Sequence, residues 1–348
     1  MRKRLLTSIA GCFYYSGLVK VALWWRQRAS RQLIILNYHR ATGGDLRSHL
    51  CYLRQHYRLL PLEQALEELY QPSVPSQRRD WRMPLVITFD DGYQDNYTHA
   101  FALARELEVP ITLFLIPGYI ESGDHFWWLE GQGLVQQAKV GQVELEGRSY
   151  RLALAAERAD LARQIDARVR YARSVAEREA FLAEVRQALG VAEQRGQEER
   201  AALPVTWAQV REMAASGWVT IGAHTMHHPL LGYLVDPAEV RREVAQCRGV
   251  LEQQTGQPVR TFAYPIGQPQ HIGAHVIAEV KQAHYDWALT TLYGFNTLQS
   301  DQYLLRRLEV DVKQHWLVIA AKSAGLWGMF SRLRWNRLIR AYLLHAPA

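Results

Sequence analysis

A chain of 348 residues with 48% hydrophobic side chains can bury the core of one large α/β domain and carry appended helices. Three scattered cysteines, Cys12, Cys51 and Cys247, exclude a disulfide framework and a cysteine-zinc site. The formal charge of +7 suits an acidic polymer, a nucleic acid or an anionic membrane surface; no nucleic-acid-binding module is present, so no nucleic-acid partner is expected.

The chain opens with Met1-Arg-Lys-Arg4 and an apolar stretch from Leu5 to Trp25 interrupted only by Lys20, close to the ~20 residues that cross a bilayer. Residues 1–31 are expected to associate with a membrane in a bacterial cell, with topology and membrane face open. Gln32 to His39 reads as a buried strand. Asp45 to Tyr70 has helical periodicity broken at Pro61, and residues 71–84 form a polar, proline-containing loop. Pro84 to Asp90 is a second strand, a helix follows around Asn96–Leu107, and Val109 to Ile116 is a third strand. From Gly141 to Glu199 alanine, arginine and glutamate dominate, which reads as two or three solvent-facing helices within an insert at about 124–205, a lid over a groove. A helix Trp207–Ala215, a strand Trp218–Ala223, a helix from about Pro237 to Thr255, and strands Thr261–Tyr264 and Trp287–Thr291 resume the rhythm. The alternation implies a parallel sheet closed into an α/β barrel over residues 32–312, with chemistry at the C-terminal ends of the strands. Residues 313–348, mixing aromatic and basic side chains, are expected to form basic amphipathic helices, either interfacial or docked on the barrel.

Two segments carry chemistry. Thr88-Phe-Asp-Asp-Gly92 ends an apolar strand, and Gly92 supplies a turn that lets both Asp90 and Asp91 reach the strand's mouth. His224-Thr-Met-His-His228-Pro229 follows another strand; one helical turn would place His224 and His228 on one face, as a metal pair requires. Thr225 stands where a zincin-type protease has its glutamate, so that reading is disfavoured. Two imidazoles and one carboxylate hold a divalent cation with positions left for water and a substrate oxygen, and the second carboxylate serves as base.

Thr88-Phe-Asp-Asp-Gly92 followed by His224-Thr-x-x-His228-Pro229 resembles motifs one and two of carbohydrate esterase family 4, the polysaccharide deacetylases. The resemblance implies a distorted (β/α)7-type barrel, Asp90 as base, and Asp91, His224 and His228 as ligands of one divalent metal. Zn2+ is the expected ion, with Co2+, Ni2+ and Fe2+ as alternatives. Phe262-Ala-Tyr-Pro-Ile-Gly267 resembles motif three, which implies that Tyr264, Pro265 and Ile266 line the oxyanion and substrate site. Many members have an arginine where Ala263 stands; Arg260 is out of register, and Arg307 is the candidate substitute. Leu36-Asn-Tyr-His39 is similar to the late L-x-x-H motif, moved to the first strand as in a circularly permuted subgroup that acts on poly-N-acetylglucosamine. That implies His39 as general acid and Leu36 in the acetyl-methyl pocket. Trp128 is the candidate for stacking on a sugar ring. The expected partner is an N-acetylated polysaccharide of the cell wall or an exopolysaccharide. Two readings compete: an inactive glycan-binding barrel, motivated by the missing motif-three arginine, and an iron oxygenase, which shares the two-histidine, one-carboxylate set.

Overall fold

The computed structural model describes residues 2–29, 31–71, 80–191 and 200–327. Two helices, α1 (Arg2–Tyr15) and α2 (Leu18–Ala29), precede β1 (Ile34–Tyr38), α3 (Leu46–His56), β2 (Arg58–Leu59), α4 (Leu62–Tyr70) and β3 (Pro84–Phe89). A π-helical turn, Asn96–Phe101, runs into α5 (Ala102–Leu107) and leads to β4 (Ile111–Leu115) and α6 (Pro117–Ser122). Next come α7 (Trp127–Gln137), a hairpin of β5 (Gln142–Leu145) and β6 (Arg148–Arg151), α8 (Ala155–Arg170) and α9 (Val175–Leu189). The barrel resumes with α10 (Trp207–Ala215), β7 (Val219–Ala223), and α11 (Pro237–Arg241), which continues through a π-helical segment into α12 (Cys247–Thr255). It finishes with β8 (Thr261–Ala263), α13 (Ala274–Gln282), β9 (Trp287–Leu289), β10 (Leu308–Glu309) and α14 (Trp316–Ser323).

The main sheet has the order β10-β1-β3-β4-β7-β8-β9, with every pairing parallel; β2 pairs with the first residues of β3 and β4 with the last. A bridge between Leu289 and Leu305 draws the two ends of the sheet together: Thr290 N–H donates to Leu305 O at 2.8 Å and Leu305 N–H to Ala288 O at 3.0 Å. Three residues on, Leu308 pairs with Leu36 of β1. The segment from Leu305 to Glu309 therefore spans the seam of a distorted α/β barrel.

The strands are buried on both faces, as parallel strands flanked by helices must be. Alternation sorts their side chains into two layers. Ile34, Leu36, Tyr38, Leu85, Ile87, Phe89, Phe262 and Tyr264 pack outward with helix residues such as Leu50, Leu53, Val210 and Met213. Leu33, Ile35, Val86, Phe114, Ala263, Leu289 and Leu305 fill the interior, joined by Leu62, Leu66 and Leu69 of α4. The same parity continues along the inner face to His39, Asp90 and Arg307. Gly222 has no side chain because the Phe114 ring occupies the space a Cβ would need.

Several expectations need correction. The stretch from Leu5 to Trp25 is two helices bent by 67° at a break around Gly17; no single described helix is long and apolar enough to cross a membrane, and the bent pair reaches that length and composition only together. The insert contains a hairpin as well as helices, since Glu146 and Gly147 both take positive φ and close a two-residue turn. Its helices are not simply solvent-facing: Leu161, Ile165 and Val169 of α8 meet Phe181, Leu182 and Val185 of α9 in a separate core. Helix α14 is largely buried rather than amphipathic, and residues 328–348 lie outside the described residues. Phe114→Ala is expected to destabilise the barrel by about 3–5 kcal/mol, measured by denaturant unfolding, because a rigid interior cannot collapse around the lost ring.

Candidate active site

The site lies at the C-terminal ends of β1, β3, β7 and β8. At the end of β3, Asp90 follows the inward parity and its N–H donates to Tyr38 O at 2.9 Å. Asp91 then takes a left-handed conformation, φ +74, and Gly92 follows at φ +76, so the chain turns and presents the second carboxylate at the mouth. A Cβ on Gly92 would come within 2.6 Å of Leu115 Cδ2, which reserves this position for glycine.

After β7 the chain forms no helical turn, contrary to the expectation from the four-residue spacing. Thr225 and His228 both have positive φ, +66 and +56, and Thr225 Oγ1 accepts from His228 N–H at 2.9 Å. An irregular loop ahead of Pro229 brings the two rings together, with centroids 4.8 Å apart. The loop is braced from three sides. Glu243, buried in the π-helical segment before α12, accepts from His227 N–H at 2.9 Å and bonds its ring at 2.6 Å. Arg178 of the insert donates to His227 O at 3.0 Å, and Trp127 Nε1 donates to His228 O at 3.0 Å. Sequence reasoning missed Glu243 and Arg178; the only signal was a charged residue in an apolar stripe of each helix.

Asp91, His224 and His228 converge. Each offers one donor atom and these atoms lie within 4.8 Å of one another, all buried. Asp91 Oδ1 stands 3.6 Å from His224 Nε2 and 3.7 Å from His228 Nε2. These separations exceed hydrogen-bond length and match the edges of a polyhedron with metal–ligand bonds of about 2.0–2.2 Å. Ala263 O holds His224 Nδ1 at 2.7 Å, so Nδ1 carries the proton and Nε2 turns its lone pair toward Asp91. The donor set therefore fits one divalent cation.

Electrostatics agree. Burial pushes the Asp91 carboxyl up to about 7, with Asp90 repelling it and His39 opposing the rise. Burial lowers His224 to about 4 and moves His228 in the same direction, so both rings stay neutral near pH 7. The two His–Asp contacts are thus not ion pairs, and the cluster lacks a positive charge. Asp90 differs: burial raises its pKa, but Arg307, His224 and His39 outweigh that and the net shift is downward. Arg307 Nη1 and Nη2 reach the two Asp90 oxygens at 2.7 and 2.8 Å, and its Nε donates to Thr290 O at 2.9 Å. Both partners are buried.

An open cleft of about 480 Å³ leads to these groups, and His39, Trp128 and Ile266 line it alongside them. Asn96 Nδ2 fixes the His39 carbonyl at 2.9 Å. Trp128 stacks on Phe126, lies 4.4 Å from the His228 ring and donates to Tyr93 Oη at 2.7 Å. Ile266 has φ +58 and its carbonyl accepts from Thr291 Oγ1 at 2.6 Å, while among the described residues no acceptor takes its N–H. Three expected site residues are placed elsewhere. Leu36 and Tyr264 fall on the outward parity of their strands and pack in the helix layer, with Tyr264 Oη donating to Tyr303 O at 3.1 Å. Pro265 is buried and does not line the cleft. Tyr93, Arg170, Gln268, Thr291 and Glu309 also line it.

The parallel α/β barrel thus carries at its mouth a buried Asp-His-His set that could hold a metal ion, with a second carboxylate beside it. The polysaccharide deacetylase signature matches residues 79–288, more than half of the chain, and the chain belongs to that family. YxkH of Bacillus subtilis (strain 168), named after the polysaccharide deacetylases, is 29% identical over 102 residues; the match spans 27% of this chain and 35% of YxkH. The Streptococcus pyogenes deacetylase PplD, solved in complex with acetate, aligns with a TM-score of 0.54 at 16% identity, covering 84% of this chain and 97% of that one. IcaB from Ammonifex degensii aligns with a TM-score of 0.53 at 18% identity, covering 85% and 98%. At these identities the likeness establishes the barrel fold.

For a cation to bind, Asp91 must lose its proton while both histidines are already neutral. Affinity for Co2+ or Zn2+ is therefore expected to weaken about tenfold per pH unit as pH falls below about 7, read by metal titration of the apo protein. A flat affinity over that range would contradict the burial of Asp91.

Proposed function

We propose that the chain hydrolyses N-acetyl groups on an amino-sugar polysaccharide, using a divalent cation held by Asp91, His224 and His228. The observation that carries this reading is the division of labour between two neighbouring buried carboxylates: Asp90 is paired with Arg307, and Asp91 faces two neutral imidazoles. Zn2+ is the ion this donor set most readily suggests, and Co2+, Ni2+ and Fe2+ also suit it. When bound, the cation polarises the acetyl carbonyl and makes a nearby water more acidic.

The chain's own residues supply the rest. Asp90, kept ionised by Arg307, accepts the proton of the attacking water. As the water oxygen bonds to the acetyl carbon, charge grows on the carbonyl oxygen, and the free N–H of Ile266 is available to stabilise it. His39, which lines the cleft, gives a proton to the sugar nitrogen as the carbon–nitrogen bond breaks. Acetate and a free amine leave. Trp128, exposed to the cleft, offers an aromatic wall to a sugar ring. The poly-N-acetylglucosamine class is the substrate suggested by the position of His39 on the first strand. The inactive-barrel alternative rested on the missing motif-three arginine; Arg307 places a guanidinium on Asp90, which weighs against that alternative.

The decisive measurement is acetate release from a panel of N-acetylated glycans, with metal-depleted and metal-restored protein. Asp91→Ala and His224→Ala are expected to lose both bound metal and acetate release, whereas Asp90→Asn keeps the metal and loses turnover by about 10²-fold or more. Activity that survives in the metal-free variants would remove the mechanism. Arg307→Met is expected to cost about 3–5 kcal/mol in denaturant unfolding, because a buried carboxylate is left unpaired. In that variant burial acts on Asp90 without its main counterweight, so its pKa rises and the acid limb of kcat/KM moves to higher pH.

A further inference from the structure

Helices α1 and α2 present two opposed stripes. The inner stripe belongs to the barrel: Ala10 packs with Leu317, Val318 and Ala321, and Val19 and Leu23 join the outer core of the sheet. Arg26 donates to Ala324 O at 3.0 Å and to Gln32 Oε1 at 2.9 Å, and lies over the Phe295 ring. On the opposite side Leu5, Tyr15, Leu18, Val21, Trp24 and Trp25 are exposed, Trp25 to 67% and Tyr15 to 77%. Arg28 stacks on Trp24 with its guanidinium carbon 4.0 Å from the ring centre, and Arg4 and Lys20 are exposed nearby along the same two helices.

The charge of this region is one-sided. Residues 1–31 contain seven Arg or Lys and no Asp or Glu, and the first acidic residue of the chain is Asp45. Aromatic and aliphatic side chains interleaved with cations on one face of short helices match the headgroup boundary of an anionic bilayer.

The geometry points to an in-plane membrane-docking surface: the outer stripe of α1 and α2 seats in the headgroup region of an anionic bilayer, with neither helix crossing it. Spanning conflicts with three observations. Helices of 14 and 12 residues are about 21 and 18 Å long at 1.5 Å per residue, against a hydrocarbon core of about 30 Å. The 67° bend prevents them from adding end to end. Straightening them would also strip the inner stripe from the barrel.

Charge selects lipid over the other candidate occupants. Residues 312–348 carry six Lys or Arg and no acidic residue, so that segment brings like charge to the stripe, as would the helix pair of a second copy. Anionic lipid brings the opposite charge.

The test uses the full chain with vesicles of phosphatidylcholine alone or mixed with phosphatidylglycerol. Expected are co-sedimentation with the mixed vesicles, weakening as salt rises, and release by alkaline carbonate. Headgroup-proximal brominated lipids should quench the tryptophan signal more than chain-end ones. The double variant Trp24→Ser/Trp25→Ser should bind at least tenfold more weakly at an unchanged Tm. Four results would overturn the proposal: undiminished binding by that variant, resistance to carbonate extraction, a lipid-free dimer that the variant dissociates, or vesicle binding that appears only after removal of residues 328–348.

Discussion

Two neighbouring carboxylates, Asp90 and Asp91, are both buried at the end of β3, and a protein interior tolerates this only if each finds its own compensation. Asp90 finds it within the chain, in a two-pronged pair with Arg307 that is sealed from solvent. Asp91 finds only neutral imidazoles, which leaves the cluster short of one positive charge. The asymmetry follows from backbone geometry. Asp90 continues the inward parity of the strand, while Asp91 is thrown into the left-handed region and out to the mouth. The turn at Asp91 thus gives two adjacent carboxylates different surroundings, one paired with a guanidinium and one facing imidazoles, and the strain is confined to loops that other parts of the molecule hold in place.

The alternation of strand side chains explains both what was legible in the sequence and what was not. Buried runs ending in Thr88-Phe-Asp-Asp-Gly92 and preceding His224 point to strands, a barrel and a convergence of Asp91, His224 and His228, because such residues have few inexpensive homes in a core. The order and closure of the sheet depend on pairings far apart in sequence, and β10 is two residues long, below any periodicity. Leu36 and Tyr264 were assigned to the site by motif position, yet each lies one step off the inward parity and packs against helices. The loop from His224 to His228 reads as a helical turn by spacing alone; it is not one, because Thr225 and His228 adopt positive φ under a tertiary grip from Glu243, Arg178 and Trp127 that no local pattern encodes.

That grip gives the insert a part beyond covering the groove. It has its own core of α7, α8, α9 and the hairpin, so Arg178 and Trp127 project from a structured body rather than a floppy excursion. Both donate to backbone carbonyls between or on the metal-set histidines, where a small shift would move an imidazole out of register. Trp128, the next residue, turns to the cleft and touches His228. The same segment therefore steadies the loop that carries both histidines and shapes a wall of the cleft, which ties the form of the cleft to the placement of the two imidazoles.

The strand order makes the remaining placement possible. His39 ends β1 and Arg307 lies in the seam segment, at opposite ends of the chain, yet β1 pairs with β10 and Leu305 bridges to β9. In the sheet β1 lies between β10 and β3, so His39 comes from the strand beside Asp90 and Arg307 from the segment one strand further on. Inward-facing side chains of neighbouring barrel strands converge, so an imidazole from β1 and a guanidinium from the segment before β10 can flank the same carboxylate. At Ala263, on β8, where many family members have an arginine, the side chain joins the interior core and the carbonyl orients His224, while Arg307 supplies the guanidinium beside Asp90.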